Sequence, residues 1–232
     1  MIGEEIYLFA VFDGHGGNQV ADYAKEFFKS ELLLNTNYLE GNYETALIET
    51  FTKIDDDMLK EAGAEKLKSY TKKETDENSF TPYEGYEPSE SIAQYCGCTA
   101  WVCLIVDNTI YCANAGDSRC VLSKNKTAIP MSFDHKPSNP EEEKRINEAG
   151  GTVEWDRVNG NLNLSRALGD FTYKENQDLK PSQQMVLWTP DVKIQTIDKD
   201  TEFMIIACDG IWDCMTNQEA VDFISTNYDK LK

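Results

Sequence analysis

The chain has little positive charge and almost no histidine. Its 232 residues include 22 Lys and Arg against 41 Asp and Glu, a formal net charge of −19, and only two histidines. A surface of that sign repels phosphate backbones and anionic lipid, so binding to nucleic acid or to a membrane surface is not expected. The acidic excess suits solubility, retention of divalent cations or attraction of basic peptides. There is no run of about 18 apolar residues, so no membrane span is expected either. Met1-Ile2-Gly3-Glu4-Glu5 is acidic and lacks a signal-peptide pattern, and Gly3 is displaced from the position that myristoylation requires.

Zinc-type cysteine spacing is also missing. Cys96-Gly97-Cys98 is too close for a ligand pair, and only His15 and His135 could supplement it. Seven cysteines is an odd number, and Cys98, Cys103, Cys112, Cys120 and Cys208 lie inside apolar, strand-like runs. Cysteines so placed act as small buried hydrophobes, and a reducing intracellular compartment (cytoplasm, nucleus or both) is the simplest setting.

What remains is ordinary for a globular protein: 41% hydrophobic and 27% charged residues, enough for one large domain over residues 1–232. Glu5 to Phe12 reads as a strand. From Gly17, residues Val20, Ala24, Phe27, Phe28 and Leu32 fall on one helical face; Leu47, Phe51, Ile54 and Met58 do the same within Tyr43–Ala62. Lys66–Ser91 is poor in aliphatics and holds Pro82 and Pro88, so a mobile surface loop is expected at about 66–91. Thr99–Val106, Thr109–Ala115, Arg119–Ser123 and Thr127–Met131 read as short strands joined by tight turns, which predicts an antiparallel meander. Asn139-Pro140-Glu141-Glu142 predicts a helix start with Asn139 as cap and Glu142 closing a capping box, and Gly150 ends that helix. Thr216 and Glu219 open a last helix.

Two apolar runs end in Asp-Gly. Ile6–Phe12 leads into Asp13-Gly14-His15-Gly16-Gly17, and Phe203–Cys208 leads into Asp209-Gly210-Ile211-Trp212-Asp213. A carboxylate at the mouth of a strand has a rigid support, and the following glycine lets a ligand approach the main chain. Hard divalent cations take carboxylate, carbonyl and water oxygens, so Asp13, the Gly14 carbonyl and Asp209 can share one site for Mg²⁺ or Mn²⁺. His15 reads either as a proton donor to a leaving oxygen or as a turn residue capping the next helix. Asp117 and Asp213 occupy comparable positions and are equally readable as turn carboxylates. Asp170, in Leu168-Gly169-Asp170, is read as structural. Gly14, Gly16 and Gly17 also permit a phosphate-cradling nucleotide loop, against which the meander argues.

In order along the chain, several segments resemble the metal-dependent, type 2C protein serine/threonine phosphatases. They are Val11–Gly17, Gly97-Cys98-Thr99-Ala100, Asn114–Arg119, Asp134–Pro140, Arg145–Gly151, Arg157–Gly160, Leu164–Asp170 and Ala207–Asp213. The resemblance implies an α+β fold, a four-layer αββα sandwich of two antiparallel sheets flanked by helices. It implies two Mg²⁺ or Mn²⁺ ions bridged by Asp13, with Gly14 on one and Asp209 on the other, and a weaker third ion at Asp117, Asp209 and Asp213. His15 matches the general acid, His135 falls in a structural motif, and Arg157 is the better candidate than Arg166 for a phosphate contact. The family's preceding arginine and Glu-Asp pair, and its closing Arg-Asp-Asn segment, have no match here. The chain is therefore expected to be a fragment of a longer eukaryotic protein, truncated at both ends. The implied function is hydrolysis of phosphoserine and phosphothreonine in protein substrates by metal-activated bridging water, with the chain a monomer. The alternative is a pseudophosphatase that uses the same scaffold for binding.

Overall fold

The computed structural model describes residues 6–71 and 91–228. It begins with β1 (Ile6–Val11), β2 (Gly14–His15), α1 (Gln19–Leu34), α2 (Thr36–Leu39), α3 (Tyr43–Met58) and α4 (Glu61–Tyr70). A strand-rich middle follows: β3 (Gly97–Cys98), β4 (Ala100–Val106), β5 (Thr109–Ala115), β6 (Arg119–Lys124) and β7 (Thr127–Pro130), then α5 (Pro140–Glu148). The remainder is β8 (Val153–Glu154), β9 (Arg157–Val158), β10 (Leu168–Gly169), β11 (Asp191–Thr196), β12 (Thr201–Ala207), α6 (Asp209–Trp212) and α7 (Asn217–Asn227).

β4 is apolar at every position because both of its faces are covered. Ala100, Val102, Leu104 and Val106 share a core with Val20, Phe28, Leu47, Phe51 and Ile54 of α1 and α3. The alternate residues Trp101 and Cys103 point the other way, into a core with Cys112, Cys120, Leu122 and Met131. Two antiparallel sheets meet there, one ordered β1-β4-β5-β11 and the other β12-β6-β7. On the far face of the second sheet, Val121 packs with Trp212, Ala220 and Val221 of α6 and α7. The layers run helix, sheet, sheet, helix, which is the expected αββα sandwich. Truncating a buried side chain as large as Trp101 or Phe51 costs about 3–5 kcal/mol, so these central cores hold the layers together.

Three local expectations are corrected. The strands Ala100–Pro130 are not one meander: β4 pairs with β5 and β6 with β7, but between them the chain crosses from one sheet to the other. The crossing is Gly116-Asp117-Ser118, where Gly116 adopts φ +119. The helix expected over Tyr43–Ala62 ends at Met58, and a second helix, Glu61–Tyr70, takes in Lys66–Tyr70, the start of the expected loop. Leu67 is completely buried and fixes that helix. Residues 72–90 of the expected loop lie outside the described residues.

The third correction concerns α5. Pro140 is its first residue, as expected, but Asn139 does not cap it: its Nδ2 donates to the Asp134 carbonyl at 2.8 Å. Glu142 is drawn away by two guanidiniums, at 2.7 Å from Arg145 and 2.9 Å from Arg166. Burial pushes the Glu142 carboxyl up, but the two arginines outweigh it and hold it at about 2, below its usual 4.5. Its contribution to stability is therefore complete above pH 4.5 and lost as the pH falls toward 2, on the order of 3 kcal/mol. In thermal melts across that window, the wild type should lose roughly 5–10 °C more than Glu142→Gln; parallel curves would refute this. The reciprocal capping box does form on α7, where the Glu219 carboxylate accepts from Thr216 N at 2.8 Å. No described helix is long and apolar enough to cross a membrane.

Candidate active site

β1 is an edge of the first sheet and β12 an edge of the second, and the two Asp-Gly segments that follow them converge. A carboxylate oxygen of Asp13, one of Asp209 and the Cys208 sulfur lie within 4.8 Å of one another, the only such acidic, thiol or imidazole group among the described residues. The Asp13 main chain is locked: Thr99 N donates to its carbonyl at 2.9 Å, and Asp13 N donates to Thr99 Oγ1 at 3.3 Å. Thr99 Oγ1 in turn bonds Ser118 Oγ at 2.7 Å, tying Asp13 to the crossing between the sheets. Asp209 opens α6, whose Trp212 Nε1 donates back to the Ala207 carbonyl at 2.8 Å. A Cβ on Gly14 would meet the Gly17 carbonyl at 2.8 Å, so this turn admits only glycine.

Burial, and then the negative charge of Asp209, push the Asp13 carboxyl above its ordinary value, with His15 pulling it back. Two carboxylates this close to one another suit a hard divalent ion, which removes the repulsion and takes oxygen ligands. The thiol is the foreign member of the set. Cys208 was expected to be a buried hydrophobe; it is half-buried, because β12 stops at Ala207 and Cys208 forms the N-cap of α6.

His15 reaches the site through a second device. β2 pairs with β3, and β3 with β10, a three-stranded ladder that brings Gly14-His15 beside the segment after Leu168. There His15 Nε2 lies 2.6 Å from Asp170 Oδ2, and Asp170 is only 3% exposed. Burial works against a charged imidazole, but Asp170, Asp117 and Asp13 outweigh it and hold the His15 pKa above its ordinary value. Asp170, read as structural from the sequence, thus touches the candidate proton donor.

The other candidates stand apart from the Asp13–Asp209 group. Asp117 is buried and paired with Lys136 Nζ at 2.5 Å. Burial raises its pKa, Lys136 lowers it and Asp209 raises it further, so Asp117 is electrostatically in touch with the site. Asp213 closes the C-terminal end of α6, where its charge acts on Arg119, itself bidentate to Asp134 at 2.8 Å. His135 is structural: its Nδ1 accepts from Gly116 N at 3.2 Å and its Nε2 donates to Asp191 at 3.1 Å, fixing the crossing. Arg166 is engaged with Glu142 and, at 2.7 Å, with Asp191. Arg157 is exposed on the β8–β9 hairpin and donates to the Asn161 carbonyl at 2.6 Å. That hairpin is tied toward the site by Ser138 N, which donates to Asp156 Oδ1 at 2.9 Å, two residues from Lys136. Sequence reasoning missed Lys136, Cys208 as a neighbour of both aspartates, and the Asp170 contact. Lys136 had a signal, being the only cation in the Asp134–Pro140 motif.

Known proteins resemble this chain in sequence and fold. The family model described as Protein phosphatase 2C matches residues 3–232. A Paramecium tetraurelia protein named "Probable protein phosphatase 2C 3" is 44% identical over 225 residues, covering 97% of this chain and 70% of the relative. "Protein phosphatase 2C homolog 2" of Schizosaccharomyces pombe is 44% identical over 218 residues, 94% of this chain and 52% of the relative. Among solved structures, a C. elegans sex determining protein superposes with a TM-score of 0.72 at 25% identity, over 96% of this chain and 48% of that one. A phosphatase from a pathogenic strain of Toxoplasma gondii gives a TM-score of 0.73 at 22% identity, over 97% of this chain and 75% of that one. The sandwich, the converging Asp-Gly ends and these matches agree: the chain belongs to the protein phosphatase 2C family.

Proposed function

We propose that the chain removes phosphate from phosphoserine and phosphothreonine in protein substrates, using two Mg²⁺ or Mn²⁺ ions held at Asp13, the Gly14 carbonyl and Asp209. The observation that carries this reading is the meeting of the Asp13 and Asp209 carboxylates across the two sheet ends. When bound, the ions supply a readily deprotonated water and offset the charge on the transferred phosphoryl group. Asp13 and Asp209 bind and space the ions, and the Gly14 turn exposes its main chain to them. His15 stands ready to protonate the departing serine or threonine oxygen. Asp117 and Asp213 are the candidates for a third, weaker ion, and Lys136 competes with that ion for Asp117. Arg157, on the exposed hairpin, is the candidate contact for substrate phosphate. The protein is proposed to act as an intracellular monomer forming a single phosphatase domain over residues 1–232. Turnover of a phosphoserine peptide should require millimolar Mn²⁺ or Mg²⁺ and vanish in EDTA; undiminished turnover in EDTA would overturn the reading.

A further inference from the structure

We infer that Asp170 is the positioning residue for His15, fixing the ring so that Nδ1 is presented to the leaving oxygen; this rests on the reading of His15 as the proton donor. Three observations besides the 2.6 Å contact carry it. The first is space. A Cβ on Gly97 would lie 2.2 Å from Asp170 Oδ2, 2.5 Å from its Cγ and 2.6 Å from His15 Nε2. All three collisions are with the ion pair itself, so Gly97 is the floor over which the pair is laid, and no side chain at that position is compatible with it.

The second is backbone conformation. Asp170 sits at φ +52, a left-handed position that Asp tolerates better than most residues. It is fixed there by its own N–H donating to the Cys96 carbonyl at 3.0 Å and by Gly169 N donating to Asp55 Oδ1 at 2.8 Å. The carboxylate is therefore aimed by the fold before any substrate arrives. The third is the ring. With Nε2 committed to Asp170, Nδ1 makes no hydrogen bond among the described residues and is the nitrogen left for substrate. A carboxylate behind an imidazole fixes both its orientation and the site of its remaining proton, as in the serine-protease triad.

The step balances as follows. The bond from phosphorus to the serine oxygen breaks while a bond from phosphorus to the water oxygen forms. The Nδ1 proton passes to the serine oxygen to give the alcohol, and the proton lost by water goes to solvent. His15 is left neutral with its Nε2–H still held by Asp170, and it recovers a proton from solvent.

The test uses the Mn²⁺-loaded full chain and the variant Asp170→Asn, since Asn also tolerates positive φ. On a phosphoserine peptide, whose alkoxide needs a proton, kcat should fall roughly 10²-fold with KM within about twofold of wild type. On p-nitrophenyl phosphate, whose leaving group departs as a stable anion, the loss should stay under about fivefold. A peptide kcat within about threefold of wild type, or equal losses on both substrates, would overturn the inference. If Asp170→Asn does not fold, Asp170→Gly suits φ +52 and leaves a hole of carboxylate size beside His15. Formate should then restore peptide turnover at least about tenfold, and not when His15→Gln is added; no restoration overturns the inference. Full peptide turnover by His15→Gln alone would bring down the parent reading and this inference with it. An inert Asp170→Asn in an otherwise His15-dependent enzyme would bring down only the inference.

Discussion

Asp13→Asn is expected to lower kcat on a phosphoserine peptide by at least on the order of 10³-fold, and to raise the melting temperature of the metal-free protein. The two effects have one cause. Asp13 is pushed above its ordinary value of 3.8 by burial and by the facing Asp209. For a carboxylate whose folded pKa is raised, stability falls as the pH climbs from the unfolded value through the folded one. At neutral pH the ionised, metal-free pair therefore works against folding, and an amide relieves it. Asp13 is not deeply buried, so solvent screening keeps the gain small, about 1–2 °C. The wild type should recover that difference on adding Mn²⁺, because a ion that binds only the folded state stabilises it by mass action; the variant should not respond. Scanning calorimetry with and without Mn²⁺ checks both halves. A metal-free variant that melts clearly below wild type, or one that retains turnover, contradicts the role assigned to Asp13.

The second large effect lies behind the site. Lys174 Nζ donates to both oxygens of Asp55, at 3.1 and 2.9 Å, and to the Ala167 carbonyl at 2.8 Å. Both side chains are 2% exposed, and the rings of Phe171 and Trp188 lie 5.2 and 5.5 Å from the ammonium. Burial pushes Asp55 up to about 6 even though Lys174 and Gly169 N–H pull it down. Lys174→Met strands a buried carboxylate, which costs about 3–5 kcal/mol and should lower the melting temperature by roughly 10 °C or more. The loss should shrink as the pH falls, because without the pull of Lys174 the Asp55 carboxyl rises further above its value of about 6 and takes up a proton in the folded state. Adding Asp55→Leu should recover much of the stability, since an apolar pair of similar volume replaces ion pairs of this kind at little cost. Urea titrations of the single and double variants at pH 5 and 7.5 decide it. If Lys174→Met melts within about 2 °C of wild type, the pair carries no such weight.

Much of this was legible in the residues. The unbroken apolar run of β4 marks a strand covered on both faces, and Thr216 with Glu219 marks the start of α7 through local hydrogen bonds that need no tertiary partner. The Asp-Gly ends pointed to a shared site because Gly is demanded where a strand stops and a ligand approaches. Other features depend on distant partners, and there local pattern misleads. Asn139 and Glu142 have capping-box spacing, but Glu142 is claimed by Arg145 and Arg166. β5 and β6 look like adjacent strands of one ladder, yet the strand beside β6 on the side away from β7 is β12, some eighty residues on in the sequence. β11 went unread although Val192 and Ile194 alternate with polar residues, the period of a half-buried strand. The contact of Asp170 with His15 has no local signal, because the space for it is set by Gly97, whose only message in the sequence is the side chain it lacks.

The crossing at Gly116-Asp117-Ser118 has a consequence for how the enzyme comes into being. Within the two main sheets only β4–β5 and β6–β7 are local hairpins; β1, β11 and β12 each find their partner across a long stretch of chain. Pairings of that kind close large loops before they gain contacts, so they form late and slowly. Asp13 follows β1 and Asp209 follows β12, so the two aspartates meet only after both late strands have docked on opposite sides of the crossing. The helices and central hairpins can therefore form in a chain that has no metal site at all. Refolding followed by circular dichroism should therefore run ahead of refolding followed by Mn²⁺-dependent turnover, and adding Mn²⁺ at the start should leave the circular dichroism phase unchanged.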